Sequence, residues 1–156
     1  MANPIPAGFH TLTPHIVVAD CAAALEFYKK AFGAAERFRL LVPGGDTVMH
    51  AQMTIGDSVL MIGSEFPPDC LSPKGRGGSS VFLHLYVADA DALFDRAVKA
   101  GCIIKMPMSD TFWGDRYGIV EDLSGHQWSI ATHKQNLTPE QLAANAKEFM
   151  AKMAKP

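Results

Sequence analysis

HIVVAD at residues 15–20 and HLYVAD at residues 84–89 agree at four of six positions, sixty-nine residues apart. An internal repeat of this kind sets the architecture before any single element is assigned. Each copy is followed by a helical pattern that stops at a glycine. In the first, Asp20 is the expected N-cap, Leu25, Tyr28 and Phe32 form an apolar stripe, and Gly33 ends it. In the second, Asp89 caps, Leu93, Phe94, Ala97 and Val98 form the stripe, and Gly101 ends it. Three strand-like runs follow each helix, at about 36–42, 47–55 and 58–62, then at about 102–107, 117–121 and 127–131. The pairs Gly56-Asp57 and Gly125-His126 introduce the last strand of each set, as hairpin turns do. Each half therefore reads βαβββ, at about 12–62 and 81–133.

Residues 63–80, GSEFPPDCLSPKGRGGSS, read as a linker between the halves. Their glycines lack the GK[ST] and GxGxxG spacings of nucleotide loops. Beyond residue 133, Thr138 with Gln141 spells a capping box and Pro139 suits a first helical position. A helix at about 138–153 follows, with Leu142, Ala146, Phe149 and Met153 on one narrow apolar face.

The 156 residues suit one domain with a sizeable core. A net charge of −2 gives no basic footprint for nucleic acid and no polybasic patch for a membrane. Cys21, Cys70 and Cys102 are an odd, widely spaced set, which suits free thiols in a reducing cytoplasm. No basic-then-apolar leader opens the chain and no apolar run approaches the ~20 residues of a membrane span. A soluble cytoplasmic protein is expected. GxSxG and HExxH are absent, and no glycine-rich loop suggests a nucleotide or S-adenosylmethionine cofactor.

The tandem modules, with ALEFYKKAFGA at 24–34 and FWGDRYG…EDLSGHQW at 112–128, resemble the vicinal oxygen chelate superfamily, the glyoxalase, bleomycin-resistance and extradiol dioxygenase group. FWGDR and D-x-x-GH-x-W look most like its PhnB-like subgroup. The resemblance implies an α+β fold in which two βαβββ modules form a half-open barrel around a cavity. It also implies a homodimer, and the C-terminal helix can dock its apolar face on the body or on a second subunit. Many members hold a divalent metal through one residue early in the first strand of each module and one in the last strand of each. Here those four places fall on Thr13, Met61, Phe82 and Ser129, which are not the imidazole and carboxylate ligands that such metals require. No metal and no other cofactor is expected.

The aligned positions fix the strand parity. If Thr13 and Phe82 face the cavity, so do His15 and His84; if Met61 does, so do Gln52 across the turn and His50 beyond it. Three imidazoles can move protons, grip an anionic ligand or bind a metal in an unconventional way. Equally, they can be wall residues satisfied by backbone carbonyls. Residues 107–116 are expected at the cavity mouth. There Phe112 and Trp113 can roof a planar ligand and Asp115 with Arg116 can form an anion-recognising pair; equally, the aromatics can be a plug and Arg116 can pair with Asp115 or Glu121. Trp128 should pack under a helix, and His126 should face solvent or the turn backbone. His10 and His133 carry no pattern. The expected function is binding of a small planar or anionic molecule in the barrel cavity. The alternative is lyase or isomerase chemistry with His15, His50 or His84 as acid or base.

Overall fold

Asp20 and Asp89 both cap helices: their side chains accept from the Ala23 and Ala92 backbone N–H groups at 3.1 and 2.9 Å. The computed structural model describes residues 2–154. Each cap sits between a short strand and its helix, so β1 (His15–Val18) leads into α1 (Cys21–Phe32) and β5 (Phe82–Tyr86) into α3 (Ala90–Ala100). Strands β2 (Ala35–Leu41), β3 (Val48–Ile55) and β4 (Ser58–Ser64) complete module one. Strands β6 (Ile103–Asp110), β7 (Asp115–Glu121) and β8 (Gln127–His133) complete module two. The sheets have the orders β1-β4-β3-β2 and β5-β8-β7-β6, so the repeat in sequence is a repeat in topology. In each, the opening strand lies parallel beside the last and the other pairs are antiparallel.

Two spans differ from the sequence pattern. The segment 63–80 holds the end of β4, a bridge between Phe66 and Cys70, and a one-turn helix, α2 (Pro73–Arg76). The segment 107–116 is not a long mouth loop, because β6 runs to Asp110 and β7 starts at Asp115, leaving a tight connection at 111–114. Hydrogen bonds from Gly114 N–H to Thr111 O and from Thr111 N–H to Asp115 O hold that turn. Gly114 has φ +96, and a Cβ there would meet the Gln135 carbonyl oxygen at 2.8 Å, so only glycine fits. Among the described residues no helix is long and apolar enough to cross a membrane.

One face of each sheet packs on its helix. Ile16, Val18, Ala51, Met53 and Ile62 point at α1, and Val120 and Ile130 lie in the same continuous core. Alternation sends His15, His50, Gln52, Phe82 and His84 to the other face, on which no helix among the described residues packs. Among the described residues, no strand of one sheet pairs with a strand of the other. The halves are joined instead by α1 against α3 and by side chains of the 122–128 hairpin. Trp128, 2 % exposed, packs as expected, but under α1 of the other module, against Tyr28 and Phe32 at centroid distances of 5.5 and 4.4 Å.

Asp122 fixes this junction. One carboxylate oxygen accepts from Tyr28 OH at 2.7 Å and Trp128 Nε1–H at 2.9 Å; the other accepts from the Ser124 and His126 backbone N–H groups at 2.9 and 3.0 Å. Burial first, and then the Asp122 carboxylate, push the Tyr28 phenol well above its ordinary pKa, so it remains a donor. His126 is corrected here: its Nε2–H donates to Val17 O at 2.7 Å, across the module boundary. With Ser124 Oγ accepting from Ala19 N–H at 3.3 Å, it satisfies the free edge of β1 without strand pairing. Asp122→Ala should therefore leave two buried donors unpaired and cost about 3–5 kcal/mol. Denaturant unfolding checks this, and a loss below ~1 kcal/mol would show the clamp to be dispensable.

Candidate functional site

The uncovered face of module two carries a connected polar and aromatic surface. Phe82, His84 and Tyr86 alternate along β5 beside Gln127, Ser129 and Ala131 of β8. Ser129 Oγ lies 2.7 Å from His84 Nδ1, which orients the imidazole and engages only one of its nitrogens. Tyr86 meets His84 edge-on at 4.4 Å, and Tyr117 stacks beside it at 6.0 Å. Asp115, 2 % exposed, anchors this surface. Its carboxylate accepts from Tyr86 OH and Trp113 Nε1–H at 3.0 Å each and contacts His133 Nδ1 at 2.8 Å. Trp113 is 36 % exposed and lies edge-on to Tyr117 at 5.4 Å. It stands at the rim of the face and is not packed under a helix. Phe112 turns to the C-terminal helix, α4 (Pro139–Met153), where it meets Phe149 at 5.2 Å. Asn145 Nδ2 donates to Phe112 O at 3.1 Å. The capping box of Thr138 and Gln141 forms, yet no residue of α4 is buried.

On module one, His15 and His50 meet edge-on at 5.3 Å. Met61 is the cross-strand partner of both His15 and Gln52, so these four residues share one patch. Phe38 and Leu40 flank it opposite Gln52 and His50, and both are exposed. Thr13, Phe82 and His84 line a cavity of about 260 Å³ with His10, Leu60 and Trp128. The three histidines singled out by parity thus fall into two groups, His15 with His50 and His84 with Ser129.

Arg116 is not brought to this face. Its guanidinium turns to the helix side and grips Asp91 of α3, with Nε–Oδ2 at 3.0 Å and Nη2–Oδ1 at 2.8 Å, and Asp110 lies 3.5 Å away. Neither of the partners expected from sequence, Asp115 or Glu121, is its acceptor. The physical reason is parity: Asp115 and Tyr117 point one way along β7 and Arg116 the other. Burial raises the Cys21 and Cys102 thiols to about 11 and about 12, so neither is a nucleophile near neutral pH.

The residues do not fit a divalent metal at the four family positions. Thr13, Met61, Phe82 and Ser129 offer neither imidazole nor carboxylate. Among the described residues, no three His, Cys, Asp or Glu side chains converge elsewhere as a donor set. Sequence reasoning gave Tyr86, Tyr117 and His133 no role and considered Asp115 only together with Arg116. The signal was present: Tyr86 lies two residues beyond His84, and Asp115 and Tyr117 share one parity on β7. It was obscured because Asp115 was read as a loop residue.

Residues 8–130 match the family model described as Glyoxalase/Bleomycin resistance protein/Dioxygenase superfamily. An uncharacterized protein of Mycobacterium bovis is 40% identical over 138 residues, 85% of this chain and 90% of the relative. TioX from Micromonospora sp. ML1 superimposes with a TM-score of 0.64 at 27% identity, over 80% of this chain and 98% of its own. The fosfomycin resistance protein FosX from Mesorhizobium loti shares the fold, with a TM-score of 0.57 at 19% identity over 86% of this chain and 97% of its own.

The imidazoles should titrate in a set order. Burial lowers the pKa of His84, with Asp115 opposing, and burial followed by His15 lowers that of His50. Hydrogen bonds to Asn136 and then Asp115 raise that of His133. His84 and His50 therefore contribute stability above the ordinary histidine value near ~6.5 that is lost as pH falls through their folded values. His133 has the opposite sign: its contribution is present below that value and lost as pH rises through its folded value. NMR titration of the ring protons should place His133 above the other two; a reversed order would contradict the Asp115 contact.

Proposed function

This chain belongs to the Glyoxalase/Bleomycin resistance protein/Dioxygenase superfamily, and from that membership we propose that it binds a small planar or anionic molecule on the uncovered sheet faces, without the divalent metal of its metalloenzyme relatives. One observation carries the reading: flat apolar side chains are presented to solvent beside oriented polar ones. Phe82 and Tyr86 are 52% and 64% exposed, flanking His84, whose ring Ser129 orients. Single exposed rings are ordinary, but a group of them beside oriented polar groups is what an interaction site presents. Trp113 supplies a further ring at the rim, held by Asp115. The motifs FWGDR and D-x-x-GH-x-W support placement in the PhnB-like subgroup, and the free thiols of Cys21, Cys70 and Cys102 support a reducing, cytoplasmic setting.

The same exposure supports a homodimer. Phe38, Leu40, Ile103 and Ile104 on the sheets and Phe149 and Met153 on α4 are uncovered in one chain. Covering them gains roughly 1.5–3 kcal/mol for each large side chain buried.

A second reading is lyase or isomerase chemistry with a histidine as acid or base. Its support is His84, whose pKa burial lowers and which Ser129 engages through only one ring nitrogen, as suits a general base. Loss of turnover with retained binding in His84→Gln would favour it.

Titration with planar aromatic carboxylates, followed by tryptophan fluorescence, tests the binding reading. Trp113→Ala should weaken the bound compound at least about tenfold and cost no more than ~1–2 kcal/mol of stability, against ~3–5 for a core aromatic. Unchanged affinity would remove Trp113 from the site. Light scattering should give twice the 16.9 kDa chain mass; a monomeric mass would count against the dimer.

A further inference from the structure

The chain has a second cavity, of about 340 Å³, between β1, the start of β5 and the linker. Its wall includes His15, Arg76, Ser79, Ser80 and His126, and no Asp or Glu lines it. Arg76 ends α2, whose cap is built in: Ser72 Oγ accepts from Gly75 N–H at 3.4 Å, and Glu65 Oε1 accepts from Ser72 N–H at 2.9 Å. Lys74 N–H donates to Ser124 O at 3.1 Å, which ties α2 to the Asp122 hairpin. The arginine is thus held on a fixed support. Arg39 and Arg116 are neutralised by carboxylates, whereas Arg76 makes no ion pair among the described residues; its Nη2 donates only to the Asp69 backbone oxygen. Gly77, at φ +85, reverses the chain so that Ser79 and Ser80 line the same cavity.

We infer that this seam cavity binds a small oxyanion, a phosphate or carboxylate group, with the Arg76 guanidinium as its charged anchor. A guanidinium fork matches either group with two parallel hydrogen bonds. The Ser80 hydroxyl is a further donor on the wall, and His15 lines the same cavity. His126, its Nε2–H given to Val17 O, also lines the cavity and reports on occupancy. This site goes beyond the ligand face proposed above, which it meets only at His15.

Inorganic phosphate and, separately, acetate should be titrated into the protein at constant ionic strength while the imidazole resonances are followed. Saturable shifts at His126 and His15, without shifts at His84, are expected from at least one of the two anions, and their ratio identifies the preferred group. Arg76→Gln should weaken binding about tenfold or more. Arg37→Gln, an exposed cation over the Phe9 ring, should leave it unchanged. Ser80→Asp places a carboxylate in the cavity and should abolish binding, which decides the matter if Arg76→Gln does not fold. Absence of a saturable His126 shift with both anions, an unaffected Arg76→Gln, or equal loss in Arg37→Gln overturns the inference. Failure of the ligand face would show at Trp113 and His84, so the two readings fall separately.

Discussion

A buried carboxylate with four donors is the constraint on which the arrangement of the two modules depends. Asp122 lies in the hairpin of module two, yet it holds Tyr28 of α1 and Trp128 of β8 on the same oxygen. Removing the acid would strand both donors in the core, where an unpaired polar group is more costly than a missing contact. Its other oxygen closes the turn through two backbone N–H groups, which aims the His126 ring at Val17 and the Ser124 hydroxyl at Ala19. A single side chain therefore sets the turn, the inter-module aromatic packing and the cover of the β1 edge. No buried side-chain polar atom is left without a partner among the described residues.

Asp115 does for the uncovered face what Asp122 does for the core. The two acids stand near opposite ends of β7, and both are 2 % exposed. Asp115 collects Tyr86, Trp113 and His133 from three segments, so its effect is to fix aromatic and imidazole groups in place. Preorganisation of that kind lowers the ordering cost of binding a flat ligand. The arginine next to it serves a different purpose: Arg116 ties β7 to α3 through Asp91, and its charge is already matched.

Uncompensated charge lies elsewhere. On the sheets, Lys105 is paired with Glu121 at 3.4 Å and Arg39 with Glu36. Arg76, reached through the linker, has no such partner among the described residues. The glycine-rich linker, which reads as a passive connection, is tied at Glu65, Ser72 and Lys74 and takes part in the wall between the modules. This also explains why α2 forms in so few residues: its cap and its tertiary ties supply what a single turn cannot.

The duplicated strand-cap-helix pattern determined the two modules and their order, because caps, apolar stripes and hairpin glycines act over a few residues and are visible in one dimension. It also determined that Thr13, Met61, Phe82 and Ser129 cannot form a metal-ligand set, since donor chemistry is a property of residue type. Parity placed His15, His50, His84, Gln52 and Met61 on the uncovered faces for the same local reason. Sequence did not determine which acceptor each polar group would find. Arg116 pairs with Asp91 across twenty-five residues, Tyr28 with Asp122 across ninety-four, and His126 with Val17 across one hundred and nine. Those choices belong to the tertiary structure, because a hydrogen bond is selected by distance and direction in the packed chain, and neither quantity is written in the spacing of residues along it.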